Sequence, residues 1–215
     1  MNSRKLVGMF LKTLMIGGAV TLVTSFFVNF AEYRGAIGAQ DWLDLLGLVV
    51  FFIGLGLVFS VISQAGFFAY LFIHRFGLSL FRTFWSTVQL LLIAFVVFDL
   101  IYLPYKAVEG EIPLYLLILM SFGLLAYGLI IAQIKTKQTH PRAFVPTLFL
   151  MVVMTAIEWV PGLQASGTDY AWLMITSLLA CNTYQILILH HLNRTDDNQT
   201  SQAKKPNKQA KSSNA

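Results

Sequence analysis

The sequence predicts an all-α integral membrane bundle of six transmembrane helices, with both termini in the cytoplasm. Three observations lead there. Six long apolar stretches fill most of the chain. Only 12% of the 215 residues are charged, at a mean hydropathy of +0.69, whereas a soluble domain carries about 25% charge. Lys and Arg collect on alternate connections, which is the pattern of cytoplasmic loops.

A bilayer core of ~30 Å takes about 20 helical residues. The stretches that meet this length are Leu6–Phe30, Leu43–Phe72, Phe84–Leu103, Ile112–Ile134, Phe144–Val160 and Tyr170–Leu189. In lipid a helix satisfies its own backbone groups, so helix is the expected state throughout. The first stretch follows Arg4 and Lys5, as a signal peptide would. It is too long for a signal h-region and no A-x-A site follows it, so it is expected to stay as a helix. Lys12 near its start is placed to snorkel back to the inner headgroups. The second stretch is the longest. At 1.5 Å per residue it reaches ~45 Å, so it is expected to tilt or to kink at Gly54 and Gly56, leaving the membrane around Ile73, His74 and Arg75.

With the C-terminal tail set aside, one side holds Arg4, Lys5, Lys12, Arg75, Arg82, Lys135, Lys137 and Arg142, and the other only Arg34 and Lys106. Glu32, Asp41, Asp44, Glu109, Glu111 and Asp169 fall in or beside the outer loops. Residues 1–192 therefore read as one transmembrane domain. Residues 193–215 read as a basic cytoplasmic tail, too polar to bury surface and expected to be disordered. The lone Cys181 cannot form an internal disulfide. The net charge of +5 suits an anionic inner leaflet, and no nucleic-acid partner is expected.

No catalytic motif is present: no G-x-S-x-G, no H-E-x-x-H, no P-loop. The chain reads as a non-enzyme without cofactor or metal. His74, His140, His190 and His191 all fall at the cytoplasmic face, as interfacial residues at helix ends. Two acids interrupt apolar runs, Asp99 and Glu158. Intramembrane acids are functional or paired. Both, however, are followed by aromatics and Pro, Tyr102 and Pro104 in one case, Trp159 and Pro161 in the other. That pattern places both near the outer interface, with Arg34 or Lys106 as pairing candidates, and a proton- or ligand-binding site is the alternative.

The second stretch has the most distinctive surface. Gly56, Ser60 and Gln64 recur every four residues, with Ser63 beside them. Small residues let helices approach closely in lipid, and Gln and Ser hydrogen-bond across the contact. The face serves either as glue within the bundle or, together with His74 and Arg75, as a docking face for another membrane protein. Asn182, Thr183 and Gln185 add polar groups to the sixth stretch.

Phe59-Ser60-Val61-Ile62-Ser63-Gln64, then Gly66-Phe67-Phe68-Ala69-Tyr70-Leu71 and Ile73-His74-Arg75-Phe76-Gly77-Leu78, resemble a segment of the KinB-signalling pathway activation family, KbaA. Phe95-Val96-Val97-Phe98-Asp99-Leu100 and the short basic N-terminus extend the resemblance over most of the chain except its tail. The resemblance implies a small integral membrane protein of an endospore-forming bacterium. It would support a membrane sensor histidine kinase feeding the phosphorelay that leads to sporulation. The resemblance carries over no catalytic residue. A small-molecule or ion transporter or channel is the alternative, disfavoured by peripheral acids and the lack of a visible repeat.

The charge asymmetry has a direct test. Of single cysteines placed by Gln138→Cys and Gly167→Cys, only the second is expected to react with an impermeant thiol reagent in intact cells. Labelling of Gln138→Cys alone would reverse the orientation.

Overall fold

The computed structural model describes the backbone of residues 3–38, 40–107, 114–165 and 167–203, and the side chains of 4–38, 40–103, 105–106, 114–160 and 169–189. All described elements are helical. They are α1 (Ser3–Val28), α2 (Phe30–Gly38), α3 (Trp42–Phe81), α4 (Trp85–Ala107), α5 (Leu114–Gln138), α6 (Phe144–Phe149), α7 (Thr155–Ala165) and α8 (Gly167–Ala203). Short 3₁₀ turns at Arg82–Phe84 and Pro141–Ala143 precede α4 and α6, and a π-helical turn, Leu150–Met154, joins α6 to α7. Five stretches are long and apolar enough to cross a bilayer: Arg4–Val28, Trp42–Leu103, Leu114–Gln138, Pro141–Val160 and Asp169–Leu189.

The second of these runs 62 residues, ~93 Å if it were straight at 1.5 Å per residue. It is not straight. At Arg82 the backbone takes φ 46° and ψ −112°, and its N–H bonds to the Leu78 carbonyl. Positive φ is costly for a side-chain-bearing residue and persists where packing fixes it. Here Trp85 lies against Gly77, where a Cβ would meet the indole ring at 2.5 Å. The Trp85 Nε1–H donates to His74 Nδ1 at 3.1 Å. Rings of Tyr70 and Trp85 both contact Phe149, so the end of α3 and the start of α4 lie at one level. Leu100, late in α4, shares a core with Phe52 and Phe59 from the first half of α3. The two helices are therefore antiparallel, and the stretch is a hairpin.

Asp41 caps the start of α3, accepting from the Leu43 and Asp44 N–H groups. Beyond it, α3 is helical without interruption through Gly54 and Gly56 to Phe81. Gly56 serves another purpose, since a Cβ there would meet the Gly17 carbonyl at 2.5 Å and Gly18 Cα at 2.7 Å. Two missing side chains, at Gly17 and Gly56, let α1 and α3 touch backbone to backbone. α8 completes this three-helix core, packing on both α1 and α3.

Two apolar cores fill the bundle. One gathers Phe67, Tyr70, Ile93, Ile131, Ile186 and the whole segment from Leu148 to Met154. The other gathers Tyr33, Phe52, Phe59, Leu100, Leu124, Trp159 and Leu178. The π turn lies in the first core, with all five residues buried. A π turn widens the helix by one residue and turns the side chains that follow. Thr155 follows it at once, its hydroxyl donating to the Leu150 carbonyl at 3.5 Å. Large apolar side chains cover the outside; Phe27 and Phe72 are 80% and 71% exposed, an arrangement suited to lipid and not to water.

α8 runs on to Ala203, whereas the sequence predicts disorder from Asn193. A helix already nucleated in the bundle extends without a new nucleus, so polar residues can continue it. Residues 204–215 of the expected tail, and Glu109 and Glu111 of an expected outer loop, lie outside the described residues. So do the side chains of His190 and His191.

Candidate functional site

A chain of polar side chains crosses the interior from α3 to α7. Ser63 Oγ donates to Asn182 Oδ1 at 2.8 Å. The Asn182 amide nitrogen donates to Thr155 Oγ1 at 3.0 Å and to Glu158 Oε2 at 3.4 Å. Asn182 is thus the hub, tying α3, α7 and α8 with one planar amide. Ser63, Asn182 and Thr155 are fully buried, and Glu158 is 9% exposed. Helix geometry makes the cluster. Thr155 and Glu158 stand three residues apart, on one face of α7, and Ser63 and Gly66 likewise on α3. Gly66 leaves room for the acid, since a Cβ there would overlap Glu158 Oε1.

This corrects the expected position of Glu158. Its neighbour Gly66 lies ~36 Å from Trp42 and ~23 Å from Phe81 along α3, so the acid sits deep in the bundle and not at its outer rim. Trp159 misleads at sequence level. It is not an interface aromatic but a buried one, its Nε1–H donating to the Ala171 carbonyl at 2.9 Å. Glu158 pairs with neither Arg34 nor Lys106. Asp99 is half-buried on α4 and is not part of the cluster.

The polar-small face of α3 is occupied by helices of the same chain. Gly56 abuts Gly17 and Thr21. Ser60 Oγ donates to the Gly56 carbonyl at 2.8 Å and to the Thr13 carbonyl at 3.2 Å, and lies 3.6 Å from Cys181 Sγ. Gln64, half-buried, donates to the Phe10 carbonyl at 3.3 Å. His74 accepts from Trp85. Arg75 is exposed, between Phe72 and Phe76, whose rings stack at 6.2 Å.

Other buried polar groups were not legible in the sequence. Lys135, which the charge count assigns to a cytoplasmic loop, is 5% exposed and donates to the Ile186 carbonyl. Gln89 and Gln185 are fully buried, and their amide groups have no partner among the described residues. Among the described residues, no three His, Cys, Asp or Glu side chains converge as metal ligands do.

Helical throughout the described residues, sheathed in apolar side chains and held by polar groups turned inward, the chain is a helical bundle with five stretches long and apolar enough to cross a membrane. Residues 17–192 match the KbaA family model, described as KinB-signalling pathway activation in sporulation, and the chain belongs to that family. It is 40% identical over 200 residues to the KinB-signaling pathway activation protein of Bacillus subtilis (strain 168), covering 88% of this chain and 97% of that protein. No solved structure matches it.

The hub and a peripheral member should differ in cost. Ser63→Ala removes one interhelical hydrogen bond, worth ~0.6 kcal/mol in a membrane bundle. Asn182→Leu also strips Thr155 and Glu158 of their donor and is expected to cost about 1–3 kcal/mol more. Thermal denaturation of the purified protein in detergent measures both. Equal costs would remove Asn182 from the centre of the network.

Proposed function

We propose that this protein is a multi-pass regulator of the cell membrane. It supports a KinB-type sensor histidine kinase in the phosphorelay leading to sporulation, and it catalyses no reaction of its own. The observation that carries this reading is the family membership, with a relative matched along nearly its whole length that is named for activating KinB signalling. Six crossings with both termini in the cytoplasm follow from the hairpin at Arg82, which divides one of the five long stretches, and from the Lys and Arg asymmetry.

Of the candidate contact residues, Gly56, Ser60 and Ser63 are covered by α1 and α8, which favours a kinase contact elsewhere on α3. Arg75 offers an exposed cation on the same turn as the exposed Phe72–Phe76 ring pair, at the cytoplasmic end of that helix. Such a contact activates only by binding the kinase's active conformation more tightly than its inactive one. Glu158, buried where a carrier would hold an ion, is the one observation on the side of a transporter. The family description favours the regulator.

Deletion of the gene is expected to abolish sporulation driven by the KinB-type kinase, and tagged protein to co-purify that kinase in detergent. Arg75→Glu should lower kinase-dependent sporulation about tenfold, equivalent to ~1.4 kcal/mol of lost coupling, at unchanged protein level. Unchanged kinase-dependent sporulation in the deletion strain would refute the regulator reading.

A further inference from the structure

We propose that Glu158 is a proton-binding site at the centre of the bundle, and that its occupancy sets how α7 packs on α3 and α8. The proposal rests on the interior alone and holds independently of the kinase reading.

Glu158 presents two oxygens to different surroundings. Oε2 accepts from the Asn182 amide at 3.4 Å. Oε1 is buried against Gly66 and has no hydrogen-bond partner among the described residues. An ionised carboxyl needs donors on both oxygens or a counter-charge; buried without them it costs several kcal/mol. The elements packed on α7 supply neither. α3 brings Ser63 and Gly66, and Tyr70 one turn further on. α8 brings Asn182 and Cys181. α4 brings the half-buried Asp99. Among the described residues, the hydrogen bond on the acid comes from the uncharged Asn182 amide and none comes from a lysine, arginine or histidine. A proton on the carboxyl removes the charge, so the packed bundle is the protonated form.

Two features argue for a proton over a metal cation. Asn182 turns its NH₂ towards both Glu158 and Thr155, placing hydrogens where a cation would need oxygens. No second carboxylate among the described residues joins the group. On release, the carboxyl O–H bond breaks, the proton passes to water and the carboxylate keeps the electron pair. That carboxylate must then draw in water or leave the contact with Gly66, either of which loosens α7 from α3. The sign follows: raising the pH ionises Glu158 and weakens the bundle.

Infrared difference spectroscopy of the full chain in lipid nanodiscs tests this. At neutral pH a carboxylic-acid C=O band is expected. It should vanish on alkaline titration, be missing from Glu158→Gln and persist in Asp99→Asn. Over the same titration the melting temperature of the wild type should fall by at least about 2–4 °C, while that of Glu158→Gln stays level. Gly66→Ala keeps the acid and crowds Oε1, so it should displace the band; this variant serves if Glu158→Gln fails to fold. A band unchanged by Glu158→Gln, or by Gly66→Ala, would overturn the proposal. Rescue of the alkaline melting temperature by sodium or potassium ions would overturn it in favour of a cation site.

Discussion

The contact of α1 with α3 at Gly17 and Gly56 is the constraint on which the rest of the bundle depends. Apolar side chains gain nothing by leaving lipid for a protein interior, so helices in a membrane associate through close packing and polar contacts. Removing two side chains at one crossing brings two backbones together. That proximity puts Ser60 within reach of the Thr13 carbonyl and of Cys181 on α8. It also sets Ser63, one turn along, against Asn182. A side chain at Gly56 would part the helices and uncouple both contacts together.

From this three-helix centre the polar groups pass inward and not outward. Ser63, Asn182, Thr155 and Glu158 form one line across α3, α8 and α7, and the π turn before Thr155 orients its far end. The outside is left to Phe, Leu and Ile. A protein built this way offers partners little beyond helix faces and exposed helix-end residues such as Arg75. That fits the proposed role, in which the chain biases the conformation of a membrane kinase.

Much of the architecture was legible because it follows from hydropathy and loop charge. The helical class, the apolar stretches and the family segment around Phe59–Leu78 required no tertiary information. Depth was the point of failure. Trp159 and Pro161 mark an interface when read locally, yet Trp159 is buried and bonded to Ala171. Read from its own segment Glu158 falls at the rim, whereas its register against Gly66 places it deep in the bundle. That register is set by how far α7 slides along α3, which no single segment encodes. Lys135 is a similar case: a lysine beside a loop reads as exposed until a neighbouring helix presents a carbonyl to it, here that of Ile186. The run of α8 past Asn193 follows from the helix that precedes the segment, which its own composition does not show.

The packing of α3 against α8 at this centre can be tested without a structure. Ser60→Cys places a thiol where the serine oxygen lies 3.6 Å from Cys181 Sγ, within the reach of a disulfide. Mild oxidation of this variant in membranes is expected to link the two helices within one chain almost completely. The wild type, with Cys181 alone, should show no such link. A Ser60→Cys protein that accumulates normally yet keeps both thiols reduced would contradict the arrangement of the core.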